Sequence, residues 1–198
     1  TGRIEARSGG GRVELLARDL ALDLPKLFPQ PRIALDTLTG LVAWQQPDSE
    51  TVRVQLSSLA FGNAHLAGTA FGTVTLGREG PGVVDLSAAL SRADGKSTAS
   101  YLPLASIVGK DTRAWIERAI LDGRATDVRF QLKGDLREFP FTDPARGQML
   151  ISARIDGAVL DYAAGWPKID AIDGTVRFDG ERIELLGRSA RVLGVQLA

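Results

Sequence analysis

Apolar and polar residues alternate with a period of two along most of this chain, which is the pattern of β-strands that bury one face. The alternation is cleanest at residues 52–57 and 128–133, where Val, Leu and Phe alternate with Arg, Gln, Ser and Lys. It recurs at residues 84–90, 151–156 and 174–178. Strands this close together along the chain favour antiparallel pairing, because a parallel pair needs a crossover of a dozen or more residues.

The most specific local prediction is a β-hairpin near the end of the chain. Residues 174–178 and 183–185 both alternate, and Asp179-Gly180 lies between them. Asp-Gly is a typical sequence of the type I′ turn, whose twist suits two antiparallel strands. We therefore expect these two segments to pair with each other.

Residues 109–123 are the one stretch whose apolar positions have helical spacing. Asp111 or Thr112 is suited to cap the N-terminus of this helix, and Gly123 is suited to follow its C-terminus. We expect one apolar face of the helix to be buried against a sheet. That face consists of Trp115, Ile116, Ala119 and Ile120. The opposite face carries two i,i+4 ion pairs, Arg113 with Glu117 and Arg118 with Asp122.

An internal similarity suggests two related β-units. Residues 35–44 match residues 169–178 without a gap, including a shared Asp and a shared Gly. Accidental similarity is the alternative, because alternating strands resemble one another easily. We predict a first β-unit at 1–100, a helical connector at 101–123 and a second β-unit at 124–198.

Composition narrows the range of functions. The 198 residues include 24 basic and 24 acidic side chains, so nothing in the charge favours binding to nucleic acid or to an anionic membrane surface. No run of about 18 apolar residues is present, so we expect no transmembrane helix within these limits. Zero cysteines exclude disulfides and thiolate metal sites, while 22 glycines indicate many turns.

No arrangement of residues predicts catalysis. His65 is the only histidine, which excludes a site with several His ligands, and we expect it at the surface. Five Asp residues are close together in the sequence and raise the alternatives of a calcium site or a glycosidase carboxylate pair, but turn formation is the simpler interpretation. They are Asp156, Asp161, Asp170, Asp173 and Asp179. We expect no enzymatic activity, no cofactor and no bound metal.

The amount of alternating Val, Ile, Leu and Phe raises the question of what covers the apolar face. A sheet with one apolar face buries it against another sheet, a helix or a ligand. A single short helix is too small to cover this many strands. The pattern leaves two alternatives, a folded-over sandwich and a groove filled by acyl chains.

Several segments in the second half of the chain resemble a known family. They are 101–103, 112–116 with Gly123, 132–141, 160–163, 165–169 and 172–174. Their residues and order resemble the central region of the YhdP branch of the AsmA-like proteins. The resemblance is good over roughly 101–187 and only general over 1–100. Within it, we expect Phe139-Pro140-Phe141 and Gly165-Trp166-Pro167 to form rigid corners, with lipid contact as the alternative.

The resemblance implies a large envelope protein of Gram-negative bacteria, anchored in the inner membrane by an N-terminal helix. Its periplasmic part is expected to be a long, curved β-sheet whose apolar inner surface conducts phospholipids toward the outer membrane. This chain is expected to be an internal section of that protein. It would itself touch acyl chains and would reach the membrane only through parts outside these residues. The resemblance does not identify its partner proteins in the envelope.

We therefore predict a mainly β fold with one short amphipathic helix, in which a curved, largely antiparallel sheet forms an open groove. A scaffold module that mediates protein contacts in the envelope is the alternative function. The side chains expected to line the lipid groove are Val52, Val54, Leu56, Val74, Leu76, Val84, Leu86, Val128, Phe130, Leu132, Ile151, Ile155, Val176, Phe178, Ile183 and Leu185. We expect Arg53, Arg129, Arg177 and Glu184 on the opposite, solvated face.

Overall fold

The computed structural model describes residues 2–25, 28–30, 32–103, 108–180 and 182–197. In these residues, eleven strands form one open antiparallel sheet, in which each strand pairs with the next one along the chain. The predicted class, a mainly β fold with an open and largely antiparallel sheet, is confirmed. The strands are β1 (Gly2–Arg7), β2 (Gly10–Asp23), β3 (Arg32–Gln45), β4 (Val52–Gly62), β5 (Leu66–Leu76), β6 (Val83–Asp94), β7 (Ile120–Asp135), β8 (Gly147–Leu160), β9 (Ile169–Asp179), β10 (Arg182–Val192) and β11 (Val195–Leu197).

The connections between strands alternate between the two ends of the sheet, because every strand is antiparallel to the one before it. The connections that follow β1, β3, β5, β7 and β9 lie at one end, which we call the lower end. Those that follow the even-numbered strands lie at the other end, which we call the upper end. The longest connection, between β6 and β7, is therefore at the upper end. It contains a 3₁₀ helix (Gly95–Tyr101) and the α-helix α1 (Lys110–Ala119).

The ends of α1 differ from the sequence-based prediction. The residue before the helix is Gly109, and among the described residues no side chain caps it, so neither Asp111 nor Thr112 does so. The helix ends at Ala119, and Ile120 already belongs to β7, where it is paired with Leu160 of β8. The hydrogen bonds of this pairing come from β8, so the sequence around Ile120 alone does not predict them. Those bonds extend the strand over residues that have helical spacing in the sequence.

The packing of α1 also differs in part from the prediction. Ala119 is fully buried, but Trp115 is only half-buried and donates a hydrogen bond from Nε1 to the Tyr162 carbonyl oxygen, 3.1 Å away. Of the two predicted ion pairs, Arg113–Glu117 is present at 2.6 Å. Asp122 instead pairs with Lys96 at 3.0 Å, because residue 122 lies in β7 and not in the helix.

The predicted hairpin is confirmed in β9 and β10. Phe178 is paired with Ile183, and Val176 with Leu185. Asp179, predicted to be a turn residue, is still a strand residue and pairs with Arg182. The division into two β-units stays a prediction, and within the sheet the two halves are joined directly by pairing between β6 and β7.

The sheet has little hydrophobic core. The chain exposes 12653 Å² of surface, whereas a compact monomer of its mass, 21.1 kDa, exposes roughly 9,000 Å². Such an excess agrees with a single open layer, and the folded-over sandwich is wrong. Among the described residues, the buried apolar side chains are Leu35, Leu38, Val84, Ala119, Val128, Phe141, Ala153 and Ile172.

Candidate functional site

The strand register defines two faces of the sheet, because directly opposed residues of antiparallel strands point to the same side. Val54 pairs with Val74, and Val74 with Val84. Farther along the sheet, Phe130 pairs with Ile151, and Ile151 with Phe178. Followed from strand to strand, the register places all sixteen side chains predicted to line a groove on one face, which we call the inner face.

The opposite face, which we call the outer face, carries most of the charges of the strands. Arg129 pairs with Ser152, and Ser152 with Arg177, whose partner in β10 is Glu184. Arg53 pairs with Thr75 on the same face. Along β7 the two faces differ in burial: Val128 is buried and Phe130 half-buried, whereas Arg129 is exposed. In β7 the inner face is therefore both the apolar and the more enclosed side of the sheet.

Bulges keep the inner face apolar along the full length of the strands. In β4 the apolar step from Leu56 to Leu59 is three residues instead of two, and Ser58 between them has a left-handed φ of 49°. Asp127 has the same role between Ala125 and Val128, with a φ of 50°. A bulge adds one residue to its strand, so the alternation resumes on the same face after the shift. Asp19, Gly157 and Ala171 also lie inside strands and have left-handed φ values of 51°, 60° and 50°.

The same bulges give a physical reason for curvature. A bulge bends its strand and increases the local twist, and interior bulges repeated over several strands curve a sheet. Period-two alternation alone does not predict these bulges, although apolar steps of three residues inside alternating segments are a signal of them in the sequence. Leu35 to Leu38 and Ile169 to Ile172 are such steps in the two segments that show internal similarity.

Phe141 covers the inner face at the lower end. It belongs to the connection between β7 and β8, is only 6% exposed, and its ring stacks edge-on against Phe139 with 5.6 Å between centroids. The ring lies over Gly134 and Gly147, which pair with each other. A Cβ atom on residue 134 would lie 2.8 Å from Cε1 of Phe141, so glycine makes room for the aromatic ring.

Asn63 attaches the long connector to the upper end. This buried side chain donates from Nδ2 to the Ala34 carbonyl oxygen at 2.8 Å and to the Tyr101 hydroxyl at 2.9 Å. Its Oδ1 accepts from the backbone N–H groups of His65 and Leu66 at 2.9 and 3.0 Å. One side chain thus joins β3, the turn between β4 and β5, and the connector.

The fold also brings Ser97, His65 and Asp94 together, and no spacing in the sequence predicts this cluster. Ser97 Oγ donates to Asp94 Oδ2 at 2.8 Å and is 2.7 Å from His65 Nδ1. In a Ser-His-Asp triad the imidazole lies between the other two groups and accepts the serine proton. Here the hydroxyl lies in the middle and its proton is directed to the carboxylate. The arrangement is therefore that of a surface hydrogen-bond cluster, which ties the β4–β5 turn to the 3₁₀ helix.

The five clustered Asp residues do not converge. Asp173 accepts hydrogen bonds from Gly157 N–H at 2.8 Å and Ser189 Oγ at 3.1 Å, and these bonds lower the pKa of its carboxyl group. Asp170 pairs with Arg191 at 2.6 Å. Both belong to β9, so the turn interpretation is wrong for them. Within the described residues, no group of three or more His, Asp or Glu side chains is placed to hold a metal ion.

One cavity lies on the outer face. It has a volume of about 630 Å³ and is lined by residues of β1 to β4, among them Arg3, Glu5 and Arg12. Glu5 pairs with Arg3 at 3.1 Å and with Arg12 at 2.7 Å, so these charges compensate one another. An open trough is not an enclosed cavity, and the apolar inner face remains the candidate site.

Comparison with known proteins points to one family. The family model described as "YhdP protein" matches residues 1–198, which is the whole chain. No curated protein and no solved structure matches. In the part of the chain that the structure describes, no helix is both long and apolar enough to cross a membrane.

Proposed function

The chain belongs to the YhdP family of bacterial envelope proteins, and we propose that its inner face binds phospholipid acyl chains and conducts them between the inner and outer membranes. The observation that carries this proposal is the continuous apolar face, which no second layer of described residues covers. Membership of this family is consistent with a lipid-transport-related envelope protein, and an uncovered apolar face suits that role.

The dimensions and energies suit an acyl chain. A strand of 11 residues such as β4 spans about 36 Å, while one acyl chain spans about 15 Å, half of the hydrocarbon core of a bilayer. A curved strand is therefore long enough to pass under and around a chain. Each methylene that leaves water contributes about 0.8 kcal/mol, so the apolar face provides a substantial driving force without any specific contact.

The proposed role requires no chemical step. A conduit for lipids needs an apolar surface that is continuous from strand to strand, and neither a nucleophile nor a cofactor takes part. We place this section in the periplasm of a Gram-negative bacterium, as part of a protein anchored in the inner membrane. Membrane contact would then be made by other parts of that protein.

Phe130 and Arg129 provide a matched pair for testing the proposal, because they are adjacent in β7 and point to opposite faces. Phe130→Asp places a carboxylate on the inner face, where its desolvation opposes acyl binding. Arg129→Asp places the same group on the solvated face. We expect mass spectrometry to find far less phospholipid copurifying with Phe130→Asp than with the wild type or Arg129→Asp. Circular dichroism and gel filtration check that all three proteins are folded.

Photo-crosslinking tests the same point without introducing a charge. A benzoylphenylalanine at position 130 is expected to crosslink to phospholipid, and one at position 129 is not. Equal crosslinking from both positions, or none from position 130 in a folded protein, contradicts the acyl-binding role. Crosslinks from position 130 to another protein would instead favour the scaffold function.

A further inference from the structure

Aromatic side chains gather at the upper end, beside the strand ends of β7 to β9. Tyr162 and Trp166 belong to the β8–β9 connection and are 55% and 71% exposed. The ring of Trp115 from α1 meets Tyr162 edge-on, with 6.3 Å between centroids and an angle of 83°. We call Trp115, Tyr162 and Trp166 the upper lip.

The side chain of Trp166 is 71% exposed, so packing against the described residues does not explain its size. We expected its Gly-Trp-Pro segment to form a rigid corner, as with Phe139-Pro140-Phe141 at the lower end. Phe141 is indeed buried against two glycines. Trp166 instead leaves most of its indole in solvent, although its backbone is fixed by a hydrogen bond from its N–H to the Ala163 carbonyl oxygen at 3.1 Å. Indole and phenol rings with an apolar body and a polar edge suit the boundary between hydrocarbon and water.

The inner face leads directly to the upper lip. Leu160 pairs with Ile120 and Ile169, and these three side chains end the inner face of β7, β8 and β9. The β8–β9 connection with Tyr162 and Trp166 begins at the next residue. An acyl chain that follows the inner face along these strands would thus have one end close to the aromatic rings.

The charged side chains at the two ends of the sheet differ, and the difference favours anionic groups at the upper end. At the lower end, the arginines of the described connections are paired with carboxylates: Arg78 with Glu50 at 3.2 Å, Arg137 with Asp135 at 2.5 Å and Arg146 with Glu138 at 2.9 Å. At the upper end, Lys110, Arg118 and Lys168 make no ion pair with any residue that the structure describes. Asp111 and Asp161 at the same end reduce the positive excess, so the aromatic rings carry the inference and the cations only support it.

We propose that the lipids on the inner face lie with their glycerol and phosphate groups at the upper lip, so that the upper end of the sheet is the headgroup side of the groove. This inference rests on the proposed function. The indole and phenol rings contact the glycerol and ester region, Lys110, Arg118 and Lys168 face the phosphates, and the lower end with Phe141 encloses the ends of the acyl chains.

Site-specific crosslinking to phosphatidylethanolamine tests the orientation. Benzoylphenylalanine is placed singly at Trp166, at Thr142 in the lower β7–β8 connection, at Phe130 on the inner face, and at Phe71, which is 58% exposed on the outer face. The full-length protein is loaded with the lipid, separated from vesicles by gel filtration and irradiated. Fragmentation of the crosslinked peptides by mass spectrometry then shows whether the adduct is on the acyl or on the glycerol-headgroup part.

We expect glycerol-headgroup adducts from position 166, acyl adducts from position 130, and at least tenfold less product from position 71. Position 142 should give acyl adducts or none. Two results would overturn the proposed orientation without contradicting lipid binding to the inner face. One is glycerol-headgroup adducts from position 142 at the yield of position 166. The other is no adduct from position 166 while position 130 is labelled. No adduct from position 130 contradicts the proposed function itself, whatever position 166 shows.

Discussion

Gly72 of β5 lies so close to β6 that a Cβ atom on residue 72 would be 2.9 Å from the Cα of Leu86 and in collision with the Asp85 carbonyl oxygen. Its φ of 138° is also one that L-residues rarely adopt. Gly72 is on the inner face, between Leu56 and Leu86. A side chain at this point would push two strands apart and interrupt the apolar surface.

Gly72→Ala is therefore expected to lower the free energy of unfolding by about 2–4 kcal/mol, from backbone strain together with overpacking. Gly187→Ala in β10 is the matched control, because a Cβ there meets no atom within 4 Å and its φ is not positive. The control should change the free energy by less than about 0.5 kcal/mol. Urea unfolding measures both, and equal losses would refute the steric explanation.

Phe141→Ala tests the cover at the lower end. Removing a buried Phe is expected to cost about 3–5 kcal/mol, because the inner face of Gly134 and Gly147 would be left beside a cavity. Phe71→Ala removes the same ring from the exposed outer face and should cost less than about 1 kcal/mol. If chemical denaturation finds similar losses for the two variants, Phe141 does not hold the lower connection in place.

Asn63→Ala is expected to release the connector from the upper end. Four hydrogen bonds are lost, and the Ala34 carbonyl oxygen loses its Asn63 donor, for a cost of about 2–3 kcal/mol. Tyr101→Phe removes only one of these bonds and should cost about 1 kcal/mol. Hydrogen exchange is the second measurement: amides of α1 should exchange faster in Asn63→Ala, and unchanged rates would show that other contacts hold the connector.

The carboxyl group of Asp135, at the lower end, predicts that the free energy of unfolding depends on pH. Hydrogen bonds from Arg137 lower the pKa of the Asp135 carboxyl from 3.8 to about 2. Because the folded-state pKa is the lower one, the stabilisation is complete above pH about 4 and is lost as the pH falls toward 2. Arg137→Gln should raise the pKa of Asp135 toward its ordinary value, as followed by NMR titration.

Unfolding measurements on Asp135→Asn provide the complementary control. This variant should lose the part of the acid destabilisation that falls between pH about 4 and 2. Asp85→Asn removes a carboxyl on the outer face of β6 and should still show that acid destabilisation. High salt should weaken the effect, because Arg137 is exposed and Asp135 only half-buried, so that salt screens their ion pair. A pH profile identical to that of the wild type would contradict the role of Asp135.

The sequence by itself determined the β class, the hairpin of β9 and β10, and which side chains share the inner face. Period-two alternation is a local property, and a strand that pairs with its neighbour must align the apolar faces of both. Phe130 and Phe178 could therefore be assigned to one face before their strands were known to lie side by side. The binding role of that face stays a prediction.

Only the tertiary structure decided features that depend on pairing between distant segments. Helix α1 ends at Ala119 because Ile120 pairs with Leu160, forty residues later. The Ser97, His65 and Asp94 cluster exists because β5 and β6 bring the ends of their connections together. The same applies to the open layer: alternation requires one apolar face per strand, but whether a sheet folds back on itself depends on twist, bulges and connections along its whole length.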